Sequence, residues 1–96
     1  MTIFISCPME GKTNEEILLH TLSPITRMLK ERHGEETVVI DGWTNEDKPP
    51  LWLLGNALQR LSEADAIFMA KGWEDARGCK LERKAAKAYG KQVIYE

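Results

Sequence analysis

Cysteine and histidine are scarce in this chain, with two of each in 96 residues. Cys7 and Cys79 cannot frame a disulfide-stapled fold, which points to a reducing compartment. His20 and His33 have no Cys or Asp at ligand spacing, so neither a metal site nor a cofactor is expected. An excess of charge of one sign is also missing. Lys and Arg number 13 against 15 Asp and Glu, and the net −2 argues against a nucleic-acid groove and a membrane-surface module. No apolar run approaches the ~20 residues that span a bilayer. Met1-Thr2 leads directly into a strand, so no signal peptide and a cytoplasmic location are the expectations. Internal repeats and low-complexity tracts are absent.

What remains is an ordinary globular composition, 43% hydrophobic and 29% charged. Residues 1–96 are read as one domain, small enough to gain from burial in a homo-oligomer. Pro50-Leu51-Trp52-Leu53-Leu54 offers more apolar surface than one helix face can bury, which fits such an assembly.

The stretch Gly72–Glu82, G-W-E-D-A-R-G-C-K-L-E, organises the rest. The apolar run Ala66 to Met69 before it reads as a buried strand, and a helical pattern follows it. In that helix Cys79, Glu82, Ala86 and Tyr89 share one face, while Lys80, Arg83, Lys84, Lys87 and Lys91 form the opposite stripe. Glu82 is therefore a carboxylate on a face that should be buried, which is costly unless it is paired. Two readings stand. Glu82 caps free backbone N–H groups in the first helical turns, or it is a pocket carboxylate acting as nucleophile or base. Its place beyond a strand's carboxyl end, where open α/β sheets bind ligands, favours the second.

In order, Thr2–Ser6 reads as a strand, Cys7–Thr13 as a loop, and Asn14 as the N-cap of a helix to about His33. Ile17, Leu18, Leu22, Ile25, Met28 and Leu29 should face inward, Pro24 should kink or restart the helix with Ser23 able to cap, and Gly34 should end it. Thr37–Ile40 is a second strand, Leu51–Glu63 a second helix with Leu54, Leu58 and Leu61 inward, and Gln92–Tyr95 a fourth strand. This β-α-β-α-β-α-β alternation implies an α/β, Rossmann-like (flavodoxin-like) domain: a parallel four-stranded sheet of order 2-1-3-4, helices on both faces, and right-handed crossovers. Its switch point then lies between strands one and three, at the loops Cys7–Thr13 and Ala70–Gly78.

Ser6-x-x-x-x-Gly11-Lys12-Thr13 resembles a phosphate-binding P-loop, with Ser6 in place of the first glycine and Pro8 removing one N–H. A C-x5-R phosphatase loop at Cys7 fails because Thr13 stands where arginine is needed. Trp43 and Trp73 lie in loops at the presumed ligand edge, where their rings can stack on a base; Trp52, among leucines, suits a subunit contact. Arg77 and Lys80 flank a helix N-terminus, where an anion is favoured.

The segments I-S-C-P-M-E-G, S-E-A-D-A-I, G-W-E-D-A-R-G-C-K-L-E and A-x-x-x-G-K-x-V-I-Y together resemble the nucleoside 2-deoxyribosyltransferase-like superfamily across nearly the whole chain. The likeness is strongest to its small branch often encoded by phages and prophages. The resemblance implies oligomers with sites near subunit contacts and cleavage of an N-glycosidic bond through a glutamate, here Glu82, preceded by Gly78. The assisting acid of helix two falls on Asn56, and the acid or serine six residues before the glutamate falls on Ala76. The expected ligand is a small nucleoside or nucleotide, held by Ser6, Cys7, Pro8, Met9, Gly11, Trp43, Asn56, Trp73, Arg77 and Gly78, with Glu82 toward the sugar. Two further readings stand beside slow cleavage. One is non-catalytic sequestration of a nucleotide immune signal of the cyclic ADP-ribose or cyclic oligonucleotide type; the other is a P-loop-like phosphate binder.

Overall fold

A computed structural model describes all 96 residues. Strands β1 (Thr2–Ser6), β2 (Val38–Asp41), β3 (Ala66–Met69) and β4 (Gln92–Tyr95) form one sheet of order β2-β1-β3-β4, with every pair parallel. The topology is the expected one. β1 lies between β2 and β3, with Ile5 opposite Asp41 on one side and Phe68 on the other.

Period-two alternation divides the central strands between two cores. Ile3, Ile5, Ala66 and Phe68 pack against Ile17, Leu22, Ile25 and Leu29, which come from the chain between β1 and β2. Phe4, Ile67 and Met69 pack on the other face against Ala57 and Leu61 of α3 (Pro50–Leu61) and Cys79 and Ala86 of α4 (Arg77–Ala88). Each large apolar side chain so buried contributes about 1.5–3 kcal/mol.

The first helical region is α1 (Asn14–Ile17), a π-helical turn over Leu18–Leu22, and α2 (Ser23–His33). Pro24 has no N–H to offer, and the chain absorbs the defect upstream, where the Ser23 N–H donates to the Leu18 carbonyl. The expected restart is present, but no side chain caps it, so Ser23 does not act as a cap. The N-cap of α1 is Thr13 rather than Asn14. Thr13 Oγ1 accepts from the Glu16 N–H at 3.1 Å, the T-x-x-E arrangement of a capping box. Leu18 is exposed because the π turn rotates it off the inward stripe. Gly34 ends α2 at φ 105°, conformational space that a side chain would strain.

Smaller shifts occur elsewhere. β2 starts at Val38, one residue late, and α3 runs from Pro50, whose fixed φ suits a first helical position, to Leu61. α4 ends at Ala88, which leaves Tyr89 at the C-cap and 84% exposed rather than on the inward face. No helix is long and apolar enough to cross a membrane.

Candidate functional site

The loops after β1 and β3 meet at the carboxyl edge of the sheet. The Ala70 N–H donates to the Ser6 carbonyl at 2.9 Å, and a Cβ on Gly72 would lie 3.5 Å from Pro8 Cγ. Beside them opens a cavity of about 570 Å³ on the face carrying α3 and α4. Its floor is Phe4, Ala57 and Cys79, and its mouth is Met9, Glu10, Leu51 and Arg77. That volume falls within the ~300–1,000 Å³ typical of small-molecule sites. Gly42 lets α3 come close: a Cβ there would meet Ala57 Cβ at 2.8 Å and Phe4 Cζ at 3.5 Å.

Glu82 lines this cavity. Its carboxylate does not cap the backbone of α4, whose N-terminus has no side-chain cap; Glu82 Oε1 instead accepts a 2.6 Å hydrogen bond from Ser6 Oγ. Alternation along β1 puts Ser6 on the same face as Phe4, toward α4, and the residue is 1% exposed. Burial pushes the Glu82 carboxyl up to about 7 from the usual 4.5, while the Ser6 hydrogen bond favours the ionised form and pulls the other way. A carboxyl titrating near neutrality can act as a nucleophile when ionised and exchange a proton when not.

The start of α4 forms the adjoining wall. Its N-cap is Ala76, its first turn holds no acid, and Ala76, Arg77, Gly78 and Cys79 all line the cavity. Free N–H groups, the positive helix end and a guanidinium are thus gathered at one opening, which favours an anion.

Burial disfavours ionisation of both thiols. Burial pushes Cys7 up to about 12, with the neighbouring Cys79 adding to the rise. Burial likewise raises Cys79, which is a core thiol of the α3–α4 face. Neither offers a thiolate nucleophile near neutral pH.

Of the expected residues, Cys7, Pro8, Met9, Arg77, Gly78 and Glu82 line the cavity, and Ser6 touches it through Glu82. Gly11, Trp43, Asn56 and Trp73 do not line it. Gly11 sits at φ 78° in an exposed part of the loop. Trp43 turns onto the α1–α2 core, and its carbonyl is held by Arg60 Nη1 at 2.9 Å. Trp73 packs on the rim of the α3–α4 core and along α4, where its ring centroid lies 5.8 Å from that of Tyr95. Asn56 is half-buried on α3 with Nδ2 unpartnered. Glu74 and Asp75, the acids nearest to Ala76 in sequence, are exposed and outside the cavity. Sequence reasoning missed Glu10, the only other carboxylate in the lining. Its signal was its place between Met9 and Gly11 in the loop at the switch point.

No curated protein matches this sequence. The family model described as "Domain of unknown function (DUF4406)" matches residues 1–95, and the chain belongs to that family.

Proposed function

We propose that the chain binds a nucleoside- or nucleotide-derived ribosyl ligand in the α3–α4 cavity and cleaves its N-glycosidic bond slowly through Glu82. One observation carries the reading: a half-buried, desolvated carboxylate, fixed by Ser6 at 2.6 Å, lies beside an uncapped helix N-terminus bearing Arg77. The sugar faces Glu82 and the phosphate meets Arg77 and the first N–H groups of α4. The apolar wall of Leu51, Leu53, Leu54 and Leu81 takes the base. The resemblance to the nucleoside 2-deoxyribosyltransferase-like superfamily, with Glu82 at the position of its glutamate, supports the same assignment.

In the cleavage step the ionised Glu82 carboxylate forms a bond to the sugar's anomeric carbon as the bond from that carbon to the base nitrogen breaks. The electron pair leaves with the base, which takes a proton from water. Water or another nucleophile then displaces the sugar from Glu82. Glu10 is exposed rather than fixed, so protonation of the leaving base is the weak part of the machinery.

That weakness favours a second reading, retention of an intact nucleotide signal without turnover. Ala76 and Asn56 occupy the positions of the superfamily's assisting groups, and Asn56 does not line the cavity. Exposed Leu51 and Leu81 in the cavity lining, with exposed Trp52 beside Leu51 in α3, offer a surface for a second copy of the chain in either case.

Incubation with a nucleotide panel, following retained ligand and released base together, tests both. Binding with slow base release, lost in Glu82→Gln, is the expected result. Tight retention of an intact nucleotide, recovered unchanged on denaturation, overturns the enzyme reading. Rapid base release overturns the sequestration reading. No binding of any member removes both.

A further inference from the structure

The outward face of α4 has a construction that the cavity does not use. Lys80, Lys84 and Lys87 recur at i, i+4 and i+7, which places them in one column along the helix. With Trp73, Arg83 and Ala88 they line a shallow groove on the side of α4 away from Glu82. Lys91, next along the chain, is not part of the free column: its Nζ donates to the carbonyls of Ser62 and Ala64 at 3.2 and 2.7 Å.

Arg83 is the fixed point of this groove. Its Nε donates to Tyr95 Oη at 2.8 Å, and its Cζ lies 5.0 Å from the Trp73 ring centroid and 5.7 Å from that of Tyr95. A guanidinium held by two rings and a hydroxyl has lost most of its rotamer freedom before any ligand arrives. Its terminal Nη groups have no partner within the chain, and they present a rigid fork suited to a phosphate. Tyr95 is 47% exposed and lies on β4, an edge of the sheet, so part of its ring is open to a further stacking partner.

The overall charge of −2 conceals this face, because it averages a one-sided cluster of cations with acids spread over other elements. Lysines alone suit any polyanion. A preorganised arginine fork beside an open aromatic ring adds what bases require, a surface for stacking. We propose that the α4 groove, with Arg83 and Tyr95 as its recognition pair, binds single-stranded nucleic acid. The phosphates follow Lys80, Lys84, Lys87 and Arg83, and one base stacks on Tyr95. This site is separate from the cavity and does not depend on the function proposed for it.

Fluorescence anisotropy with labelled oligo-dT and oligo-U, at low and moderate salt, tests the proposal on the full chain. Binding should weaken with salt at a slope of about −2 to −3, corresponding to three or four phosphate contacts on a single strand. Lys84→Glu/Lys87→Glu should weaken binding at least tenfold, roughly the loss of two such contacts with added repulsion. Tyr95→Ala should weaken it tenfold or more, because it loses both the stack and the hydrogen bond that fixes Arg83. Arg83→Lys, which keeps the charge, should also weaken it and so separates the fork from simple attraction. A preference for either oligonucleotide names the kind of strand, and equal binding supports the proposal as well. Unchanged melting temperatures and far-ultraviolet spectra establish that the variants are folded. Absence of binding at low salt overturns the proposal, as does binding that Lys84→Glu/Lys87→Glu leaves intact. Equal competition by polyglutamate of matching charge, or by anionic lipid vesicles, overturns it in favour of an acidic-protein or membrane surface.

Discussion

Two helices begin at the same edge of the sheet, and they begin in opposite ways. α1 follows β1 with Thr13 as a hydrogen-bonded N-cap and Glu15 and Glu16 in its first turn, all of which favour the helix. α4 follows β3 with Ala76 as an N-cap that makes no bond, Arg77 at the positive helix end, and Glu82 half-buried and desolvated one turn further on. Each of these is a poor choice for stability. Together they leave unused N–H groups, a cation and a desolvated carboxylate facing one cavity. The first helix is finished by its own side chains, and the second is left open for something else.

The largest test of that contrast is Glu82→Gln. Glu82 is raised, so the native state keeps its proton to higher pH than the unfolded chain does. The stability this gives is full below pH about 4.5 and is lost as pH rises through about 7. The gap between those values, at about 1.36 kcal/mol per pH unit, makes the penalty at pH 8 about 3 kcal/mol. Glu82→Gln removes it, so the variant should be more stable than the native chain at pH 8 by up to that amount. The advantage should vanish near pH 5. Urea unfolding at both pH values measures this, and a variant less stable at pH 8 would end the claim that Glu82 sits at a cost.

Ser6→Ala sharpens the same point from the other partner. Losing a hydrogen bond to a charged group should cost about 1.5–3 kcal/mol at pH 8. The cost should be smaller at pH 5, where Glu82 is protonated. The carboxyl should also titrate above its native value of about 7, which carbon-detected NMR can follow; an unmoved titration would mean that the 2.6 Å contact is energetically idle.

The reciprocal pair of cap variants breaks the comparison directly. Ala76→Asp should finish α4 as Thr13 finishes α1, adding about 1 kcal/mol of stability. It should also weaken nucleotide binding tenfold or more, because the carboxylate occupies the anion's place. Thr13→Ala should cost about 1 kcal/mol and leave ligand affinity unchanged. Calorimetric melting with and without nucleotide reads both variants. Loss of affinity in Thr13→Ala would make the two ends equivalent and defeat the distinction.

The fold was legible because alternating strands and helices without hairpin turns admit few topologies, and because Pro24 and Gly34 act through their own backbones. Glu82 was legible for the same reason that Ala86 was: helical spacing puts both on one face as Cys79. Tyr89 failed because the face ends where the helix does, one residue earlier. Trp43 and Trp73 lie outside the cavity for a different reason. Sequence places a loop residue at an edge but says nothing of its side-chain direction, and each ring turned onto a core, Trp43 on the α1–α2 side and Trp73 on the α3–α4 side beside Arg83 and Tyr95. Ser6 was expected among the ligand-binding residues. Its bond to Glu82 could have been drawn by joining the strand period to the helix period, since both bring their residues to one face of the sheet.

The central position of β1 also sets a timetable. Ile5 pairs with Asp41 on one side and Phe68 on the other, so its second neighbour is synthesised 63 residues after it. At the roughly 5–20 residues per second of translation, that interval is on the order of 3–13 s. Throughout it Ile3, Phe4 and Ile5 form a short apolar segment with at least one side unpaired, a template for pairing with another nascent chain. The strand that ends beside Glu82 is thus also the one most exposed to misassembly while the protein is being made.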